Sequence, residues 1–558
     1  IREPENPFFI DYVRYILLNE EEALGATLED RQRSLFRGGL TVKTTLDVRL
    51  ADIADEAIRE VLEEIDGPQS ALTAVDPKTG EILAIGFGPR AYGKGPGESQ
   101  VNPAVPYLGD IFGQQTGSSF KAFEIVAALE SGVSPAYTTD TPSPYRPTGF
   151  CPKNWTPGNY SDGGGGFMDM TRATTFSSNV YFAHLMDEFT GPEKLAEVAE
   201  RMGVVNTAWE PLAKFNCSNV LGAAGSYPVD MAAGFGTMAN NGAHCETHAI
   251  LEIRDREDRV IARHDPKCKQ VIEAGIAARA TDLLRGPIDS GTAARNGKIG
   301  RPAAGKTGTT QDYHDAWFIG FIPQLSAATW VGHVEGDIEM RDPRCGRSGA
   351  VTGGCLPTMI WQRFMTRSIE LLELPVEEFP TPPPIPRSTV PAVVGLPIEE
   401  AEDIVGEADF VPEAETLPHW APAGIVFEQN PEAGTSIGGG SKVLLSVSDG
   451  TAEPPVVPNL IGMKEPEAVA LLDELGYVPK VTLWPVSKPA EYGIVIDQDP
   501  VAGTKPELDL YTDPAGLVLG PVEIFVGRPR TADDPPETAT ARTPGASATT
   551  PAKTGNRD

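Results

Sequence analysis

The sequence has no run of about 18 apolar residues and far fewer basic than acidic residues. It contains 46 lysines and arginines against 78 aspartates and glutamates, a formal net charge of −32. Because a membrane-spanning helix needs about 20 mostly apolar residues, no segment is predicted to cross a bilayer. The excess of negative charge argues against binding to nucleic acid or to an anionic membrane face.

Histidine is also scarce, and its positions do not suggest a metal site. The seven histidines show no spacing typical of metal ligands. His244 and His248 lie on a predicted strand beside Cys245, and we interpret them as surface residues. Neither a metal nor an organic cofactor is therefore predicted. The sequence has no recognisable signal peptide and begins with Ile1.

The chain is long enough for several domains. It has 558 residues, of which 40% are hydrophobic, and this is sufficient for sizeable cores. A proline-rich stretch at residues 374–387 predicts a stiff linker between domains. Residues 529–558 are rich in threonine, alanine and proline, a composition typical of disorder.

One predicted helix carries a serine and a lysine that can react together. Residues 122–129 are nearly all apolar, which indicates a helix buried in a core. Ser118 stands at the start of this helix and Lys121 one turn later on the same face. Burial lowers the pKa of a lysine, and a neutral amine can take the proton of a neighbouring hydroxyl. The pattern predicts a nucleophilic serine with a lysine base, although a serine here, taken alone, is most often a helix cap.

Two further motifs follow along the chain. An S-x-N triplet begins at Ser177, 59 residues after Ser118, and a K-T-G triplet begins at Lys306, 129 residues after Ser177. This K-T-G precedes a strand-like apolar run at residues 315–321 and follows the other two motifs. The K-T-G at Lys78 belongs to a predicted hairpin turn between two alternating apolar runs, and the one at Lys553 lies in the threonine-rich tail. With matching stretches from about residue 7 to residue 370, the three motifs resemble the transpeptidase part of a class A, bifunctional penicillin-binding protein.

The resemblance implies the fold and the domain boundaries. The expected fold class is α/β (α+β), the transpeptidase fold of penicillin-binding proteins and serine β-lactamases, with an antiparallel five-stranded sheet flanked by helices. Residues 47–373 are assigned to this domain. Residues 1–46 are expected to be a linker with one helix, following a glycosyltransferase domain that lies outside this sequence. The expected location is the extracytoplasmic face of the bacterial cell membrane, with a soluble fragment here and an anchor only in a missing N-terminal segment.

The resemblance also implies a role for each catalytic residue. Ser118 is expected to attack the carbonyl between the two D-alanines of a peptidoglycan stem peptide while Lys121 accepts its proton. Ser177 is expected to relay a proton to the leaving amine, and Asn179 to orient Lys121 and bind the substrate amide. Lys306 is expected to keep Lys121 neutral through repulsion between like charges.

The K-T-G strand is expected to hold the substrate. Lys306 and the hydroxyls of Thr307 and Thr309, on either side of Gly308, would bind the substrate carboxylate. By resemblance, the backbone N–H groups of Ser118 and Thr309 form the oxyanion hole, where each donor contributes ~3 kcal/mol. β-Lactams are expected to acylate Ser118, because their strained amide imitates the same dipeptide.

The predicted function is that of a serine-type D,D-transpeptidase that forms cross-links between stem peptides. A D,D-carboxypeptidase would use the same residues with water in place of the acceptor amine. A β-lactamase needs an efficient deacylating base, and the sequence does not reveal one. The chain could also be a catalytically silent sensor or scaffold, but such a protein has no need of all five residues of the three motifs.

An internal repeat follows the proline-rich stretch. The motif that begins at Val390 returns at Val457, and the motif that begins at Gln429 returns at Gln498. The two units, residues 388–450 and 453–528, resemble PASTA domains, small α+β modules with one helix on a three-stranded sheet. The helices are predicted at residues 398–407 and 466–475, and the second unit has an insertion near residues 508–518.

The charge of this pair bears on its role. Residues 388–528 contain 23 acidic and 6 basic residues, a net charge of −17. Such a surface repels acidic cell-wall fragments. Trp420 and Trp484 are each expected to stand alone, without other aromatic residues around them to form a binding cluster. We therefore predict that the pair is a spacer or a docking element, and not a sensor of cell-wall ligands.

Six cysteines in an extracytoplasmic protein favour disulfides, although six permit fifteen pairings. Cys245 and Cys268 are equally distant from a predicted turn at residues 256–257, so hairpin register places them opposite each other. Cys345 and Cys355 flank a glycine-rich loop that is short enough to close easily, so a disulfide is predicted between them. Elimination leaves the last pair, Cys151–Cys217.

Overall fold

The computed structural model describes residues 5–64, 67–106, 113–160, 166–204, 216–506, 517 and 519–534. The chain forms two compact units, Ile1–Ile385 and Pro386–Asp558. No helix among these described residues is long and apolar enough to cross a membrane.

The first unit contains ten described helices and a set of longer strands. The helices are α1 (Pro7–Asn19), α2 (Leu28–Arg37), α3 (Val48–Arg59), α4 (Lys121–Glu130), α5 (Met170–Phe176), α6 (Asn179–Leu185), α7 (Gly191–Arg201), α8 (Pro228–Ala239), α9 (Ala274–Asp289) and α10 (Leu356–Leu371). The strands are β1 (Thr41–Thr44), β2 (Gln69–Val75), β3 (Ile82–Gly88), β4 (Ala243–Cys245), β5 (Ile250–Arg254), β6 (Val260–Arg263), β7 (Cys268–Gln270), β8 (Ala304–Thr309), β9 (Asp315–Ile322) and β10 (Leu325–Gly332). Two-residue strands pair in three small ladders at Ala91–Tyr92, Glu98–Ser99, Gln114–Gln115, Thr139–Asp140, Phe167–Met168 and Gly225–Ser226.

The predicted five-stranded sheet is present. Its order is β8-β9-β10-β2-β3, and every neighbouring pair is antiparallel. Side chains alternate between its two faces: Phe318 packs on Trp361 of α10, whereas Phe321 packs toward Phe235 of α8. Helices thus cover both faces, which explains why β9 and β10 are nearly continuous apolar runs.

The first 46 residues differ from the prediction. Their described part, from residue 5 onward, holds two α-helices and a strand that belong to the first compact unit, and not a linker with one helix. Phe9 and Leu17 of α1 are buried, and β1 pairs with β5, where Val42 lies opposite Ile253. The periodicity of the sequence missed α2 because none of its residues is buried, so it has no apolar stripe to detect.

The predicted linker at residues 374–387 also differs, because its first part packs on the first unit. Arg301 donates hydrogen bonds to the carbonyl oxygens of Leu374 and Pro375, at 3.1 and 3.0 Å. The ring of Phe379 packs against Phe321 of β9, with 5.6 Å between centroids. The first unit accordingly extends to residue 385.

The second unit holds two modules of similar design. Its helices are α11 (Ile398–Glu407) and α12 (Glu465–Glu474), and its strands are β11 (Arg387–Thr389), β12 (Val411–Leu417), β13 (Val426–Asn430), β14 (Ser436–Gly438), β15 (Lys442–Ser448), β16 (Tyr477–Val486), β17 (Val495–Asp499) and β18 (Leu519–Pro529). The three-stranded sheets have the orders β12-β15-β13 and β16-β18-β17. Each has one parallel and one antiparallel pair. Most of the predicted insertion at 508–518 and most of the tail lie outside the described residues.

The two tryptophans of this unit have aromatic neighbours, contrary to the prediction. His419 stacks on Phe427 and lies 3.9 Å from the Trp420 ring, centroid to centroid. Trp420 also packs against the apolar core of the second module. Trp484 meets Phe525 edge-on at 5.9 Å. Trp420 adjoins His419 in the sequence, whereas the fold, not spacing along the chain, brings Phe427 to His419 and Phe525 to Trp484.

All six cysteines are paired. The three disulfides are Cys151–Cys217, Cys245–Cys268 and Cys345–Cys355. Cys245 lies directly opposite Cys268 where β4 pairs with β7.

Candidate active site

Ser118 lies in a tight turn that leads directly into the buried helix α4. A single 3₁₀ turn spans Gly117–Phe120, and α4 begins at Lys121. Gly117 has a φ of +54°, and a Cβ atom there would lie 2.6–2.7 Å from backbone atoms of Thr309. Only a residue without a side chain permits this approach. The turn that carries Ser118 is therefore pressed against the K-T-G strand.

The Lys121 side chain is completely buried beside Ser118. Its Nζ atom lies 3.0 Å from Ser118 Oγ, 2.7 Å from Asn179 Oδ1 and 2.8 Å from the Ser177 carbonyl oxygen. Burial, followed by the charge of Lys306, lowers the pKa of Lys121 well below its ordinary value. A neutral amine at this position can accept the proton of the serine hydroxyl.

Ser177 and Asn179 lie at the junction of α5 and α6. Ser177 adopts the left-handed conformation, with φ 61°, which is uncommon for a residue other than glycine. Its carbonyl oxygen accepts a hydrogen bond from Lys121, and its Oγ lies 2.7 Å from Lys306 Nζ. Asn179 Nδ2 donates to the Gly158 carbonyl oxygen at 2.8 Å. Ser177 thus connects the two lysines.

Strand β8 supplies the K-T-G residues. The Lys306 side chain is completely buried, and burial lowers its pKa to about 7. Thr307 Oγ1 lies 2.8 Å from Thr292 Oγ1. Thr309 Oγ1 accepts a hydrogen bond of 3.0 Å from the Gly353 N–H group.

Gly308 explains why the motif needs a glycine at its third position. A Cβ atom at Gly308 would lie 2.1 Å from the Thr116 carbonyl oxygen. The strand therefore contacts the residue before the serine turn through bare backbone. Together with Gly117, this contact places the backbones of Ser118 and Thr309 on adjoining segments, as an oxyanion hole requires.

The predicted site residues thus lie together around one cleft. A cavity of about 450 Å³ is lined by Ser118, Ser177, Asn179, Thr307 and Thr309, with Gly158, Asn159, Tyr160, Phe176, Thr292, Thr310, Gln311, Thr352 and Gly354. A second cavity of about 480 Å³ shares Ser118, Asn179, Thr309 and Gly158 and extends along Gln115, Asn154, Trp155, Thr156, Pro157, Ser218, Leu221 and Ala223. We call these the first lobe and the second lobe of the cleft.

Sequence reasoning missed several of these residues. Asn159 Oδ1 accepts hydrogen bonds from the backbone N–H groups of Asn179 and Val180, at 2.7 and 3.2 Å, and so holds the start of α6. It lies in a polar stretch without periodicity, which offers no signal. Thr352 and Gly354 also line the cleft, and nothing in the sequence indicated that Gly353 between them contacts Thr309.

The part of the chain that the structure describes contains no group of three or more histidine, cysteine, aspartate or glutamate residues able to hold a metal ion. The polar groups around Ser118 are instead hydroxyls, amides and two buried amines.

Comparison with known proteins gives this arrangement its class. A model of the penicillin-binding protein transpeptidase domain matches residues 70–339, and a PASTA domain model matches residues 388–449 and 455–508. The chain therefore carries a transpeptidase domain similar to that of the penicillin-binding proteins, followed by two PASTA domains.

Individual relatives agree with this class. Penicillin-binding protein 1A of Aquifex aeolicus is 31% identical over 326 residues, which cover 58% of this chain and 40% of that protein. Penicillin-binding protein 1A of Mycolicibacterium smegmatis is 30% identical over 372 residues, covering 63% of this chain and 44% of that protein. The chain thus spans less than half the length of these two relatives.

Solved structures resemble the chain as well. The PonA1 protein from Mycobacterium tuberculosis, solved in complex with penicillin V, is 28% identical with a TM-score of 0.53, covering 63% of this chain and 91% of that chain. Penicillin-binding protein 1A from Haemophilus influenzae, 19% identical with a TM-score of 0.56, covers 69% of this chain and 72% of that chain and shares the fold.

Proposed function

We propose that this protein is a serine D,D-transpeptidase that cross-links peptidoglycan stem peptides and is inhibited covalently by β-lactams. The observation that carries the proposal is the contact of 3.0 Å between Lys121 Nζ and Ser118 Oγ in a site where Lys121 is completely buried. The relatives named penicillin-binding protein and the PonA1 complex with penicillin V support it.

Acylation begins when Ser118 Oγ attacks the carbonyl carbon between two D-alanines. Lys121 takes the hydroxyl proton as the new C–O bond forms. The carbonyl oxygen becomes an oxyanion between the N–H groups of Ser118 and Thr309. The C–N bond then breaks, and the departing D-alanine receives a proton through Ser177, whose Oγ lies 3.4 Å from Lys121 Nζ.

The leaving D-alanine carries a carboxylate, and the first lobe suits this group. Thr307 and Thr309 line this lobe with hydroxyl donors, and the buried Lys306 lies on the same strand, β8, as the positive charge that a carboxylate needs. The acyl-enzyme is then taken by an amine of a neighbouring stem peptide. That amine attacks the ester carbon and gives its proton to Lys121. The C–O bond to Ser118 then breaks, and Lys121 returns the proton to Ser118 Oγ, 3.0 Å away, which completes the cross-link.

We further propose that the enzyme acts at the extracytoplasmic face of the membrane, as part of a bifunctional protein with a glycosyltransferase domain and a membrane anchor. Three disulfides support the location, because such bonds persist mainly in oxidising compartments. For the PASTA pair we retain a spacer or docking role, which its net charge of −17 supports. Saturable binding of muropeptides to the intact protein through these modules would contradict that role.

The test of the main proposal is intact-protein mass after exposure to benzylpenicillin, with Ser118→Ala as control. We expect one adduct per chain on the parent protein and none on the variant. An unmodified parent protein would refute the proposal. Cross-linked dimers formed from a donor and an acceptor stem peptide distinguish a transpeptidase from a carboxypeptidase, which releases D-alanine alone. Rapid turnover of penicillin would instead indicate a β-lactamase.

A further inference from the structure

Two of the three disulfides lie beside the catalytic cleft, one next to each lobe. Cys151 precedes the segment 154–158 of the second lobe, and Cys217 directly precedes Ser218 of the same lobe. Cys355 directly follows Gly354 of the first lobe. The third disulfide, Cys245–Cys268, joins β4 to β7, and neither cysteine lines the cleft.

The Cys151–Cys217 disulfide holds a turn that supports the nucleophile. Cys217 opens a 3₁₀ turn that ends at Leu221, and Gly222 follows with φ +72°. A Cβ atom at Gly222 would lie 2.2 Å from the Gly117 carbonyl oxygen and 2.3 Å from its nitrogen. This turn therefore packs directly on the backbone that precedes Ser118.

The other end of this disulfide is anchored independently. The Cys151 N–H group donates a 2.6 Å hydrogen bond to Asp187 Oδ1, and Asp187 is completely buried. Asp187 Oδ2 also accepts from the N–H groups of Thr148 and Gly149, at 2.7 and 3.0 Å. Cys151 is thus a fixed point, and the disulfide ties the turn at 217–221 to it across 66 residues of sequence.

The Cys345–Cys355 disulfide supports the K-T-G strand in a similar way. Gly353 donates a hydrogen bond to Thr309 Oγ1, and a Cβ atom at Gly353 would lie 2.4 Å from the Gly308 carbonyl oxygen. The loop that ends at Cys355 therefore rests on the K-T-G strand as the turn at 217–221 rests on Gly117.

We propose that Cys151–Cys217 and Cys345–Cys355 are positioning disulfides, which hold the backbones of Gly117 and Gly308 so that the N–H groups of Ser118 and Thr309 converge on the reacting carbonyl. Without either disulfide, one of these two backbone segments is no longer held in place. The protein then needs oxidised cysteines for efficient acylation as well as for stability. The inference rests on the proposed function, because it concerns the rate at which Ser118 is acylated.

The experiment compares the parent with three paired variants: C151S/C217S, C345S/C355S and C245S/C268S. Stopped-flow acylation with a fluorescent penicillin, well below each melting temperature, gives the binding constant, the rate constant of acylation and the number of chains acylated. We expect the first two variants to acylate about tenfold to a hundredfold more slowly, because misplacement by about 1 Å costs up to a hundredfold. Each folded chain should still take one label.

The matched control is C245S/C268S, which loses a disulfide of intermediate loop length away from the cleft. We expect its acylation rate constant to equal that of the parent. A merely structural role for the other two disulfides would reduce the fraction of chains that react and leave the rate constant of the reacting chains unchanged. That result, or parental rate constants in both cleft variants, would overturn the proposal.

A second measurement applies if a variant does not fold. The folded parent is treated with a mild thiol reductant, its free cysteines are alkylated and mapped by peptide mass, and acylation is measured again. Slower acylation that follows the alkylation of Cys151 and Cys217 or of Cys345 and Cys355 supports the proposal. Full activity with those cysteines alkylated contradicts it. Failure of the untreated parent to acylate would instead refute the proposed function.

Discussion

The substitution Asn179→Asp tests the central chemical claim, that Lys121 acts as a neutral base. Asn179 Oδ1 lies 2.7 Å from Lys121 Nζ, so an aspartate of the same shape places a carboxylate within hydrogen-bond distance of the amine. An ion pair of this kind stabilises the protonated lysine. The pKa of Lys121, which burial and Lys306 lower in the parent, should therefore rise.

The size of the effect follows from the distance. An opposite charge within about 4–6 Å shifts a pKa by about 1–3 units, and each unit corresponds to about 1.4 kcal/mol. Because only neutral Lys121 can accept the Ser118 proton, the acidic limb of the acylation profile should move up by the same 1–3 units. At a pH on that limb, acylation should slow about tenfold for each unit.

The assay is the second-order rate constant for acylation by benzylpenicillin between pH 5 and 10. Asn179→Ala is the control, because it also loses the hydrogen bond to Gly158 but introduces no charge. It should lower the rate without moving the acidic limb upward. An Asn179→Asp profile that coincides in pH with the parent profile would refute the role of Lys121 as the base.

Three other predictions concern stability and packing. Burial raises the pKa of Glu124 to about 8 from an ordinary value of 4.5, so the stabilisation that its neutral form provides is full below pH 4.5 and is lost as the pH rises through 8. In the parent, the free energy of unfolding in urea should fall by on the order of 4 kcal/mol between pH 5 and 9, and Glu124→Gln should abolish this fall. The same pH dependence in the variant and the parent would contradict the prediction. Gly117→Ala should slow acylation about a hundredfold, because its Cβ atom would meet the backbone of Thr309. Gly132→Ala is the control and should leave the rate unchanged, since Gly132 also has a positive φ, +85°, but no atom lies within 4 Å of its Cβ position. Equal acylation rates in the two variants would show that the contact between Gly117 and Thr309 does not position Ser118. Trp420→Ala should lower the melting temperature of the second unit in calorimetry, because it removes about 2 kcal/mol of stabilisation, and should leave the acylation of Ser118 unchanged. An unaltered melting temperature would show that Trp420 does not stabilise the unit.

Local pattern was sufficient for much of this protein. The order of the S-x-x-K, S-x-N and K-T-G motifs indicated the class, and the apolar residues 122–129 predicted the buried helix α4. The helix predicted at residues 398–407 coincides with α11. These features depend on residues close in sequence, whose periodicity and turn residues report local structure directly.

Only the tertiary structure decided how the site is assembled. It brings Ser177 Oγ within 2.7 Å of Lys306 Nζ, although the two residues are 129 positions apart in the sequence. It also gives Ser177 a left-handed backbone conformation, which a serine in the sequence does not predict. It also incorporates the first 46 residues into the first unit, through α1 and the pairing of β1 with β5. Long-range contacts of this kind depend on which buried surfaces meet when the chain closes. A single sequence records the type of each residue but not its distant partner, so the sequence supplied the reacting groups and the fold supplied their geometry.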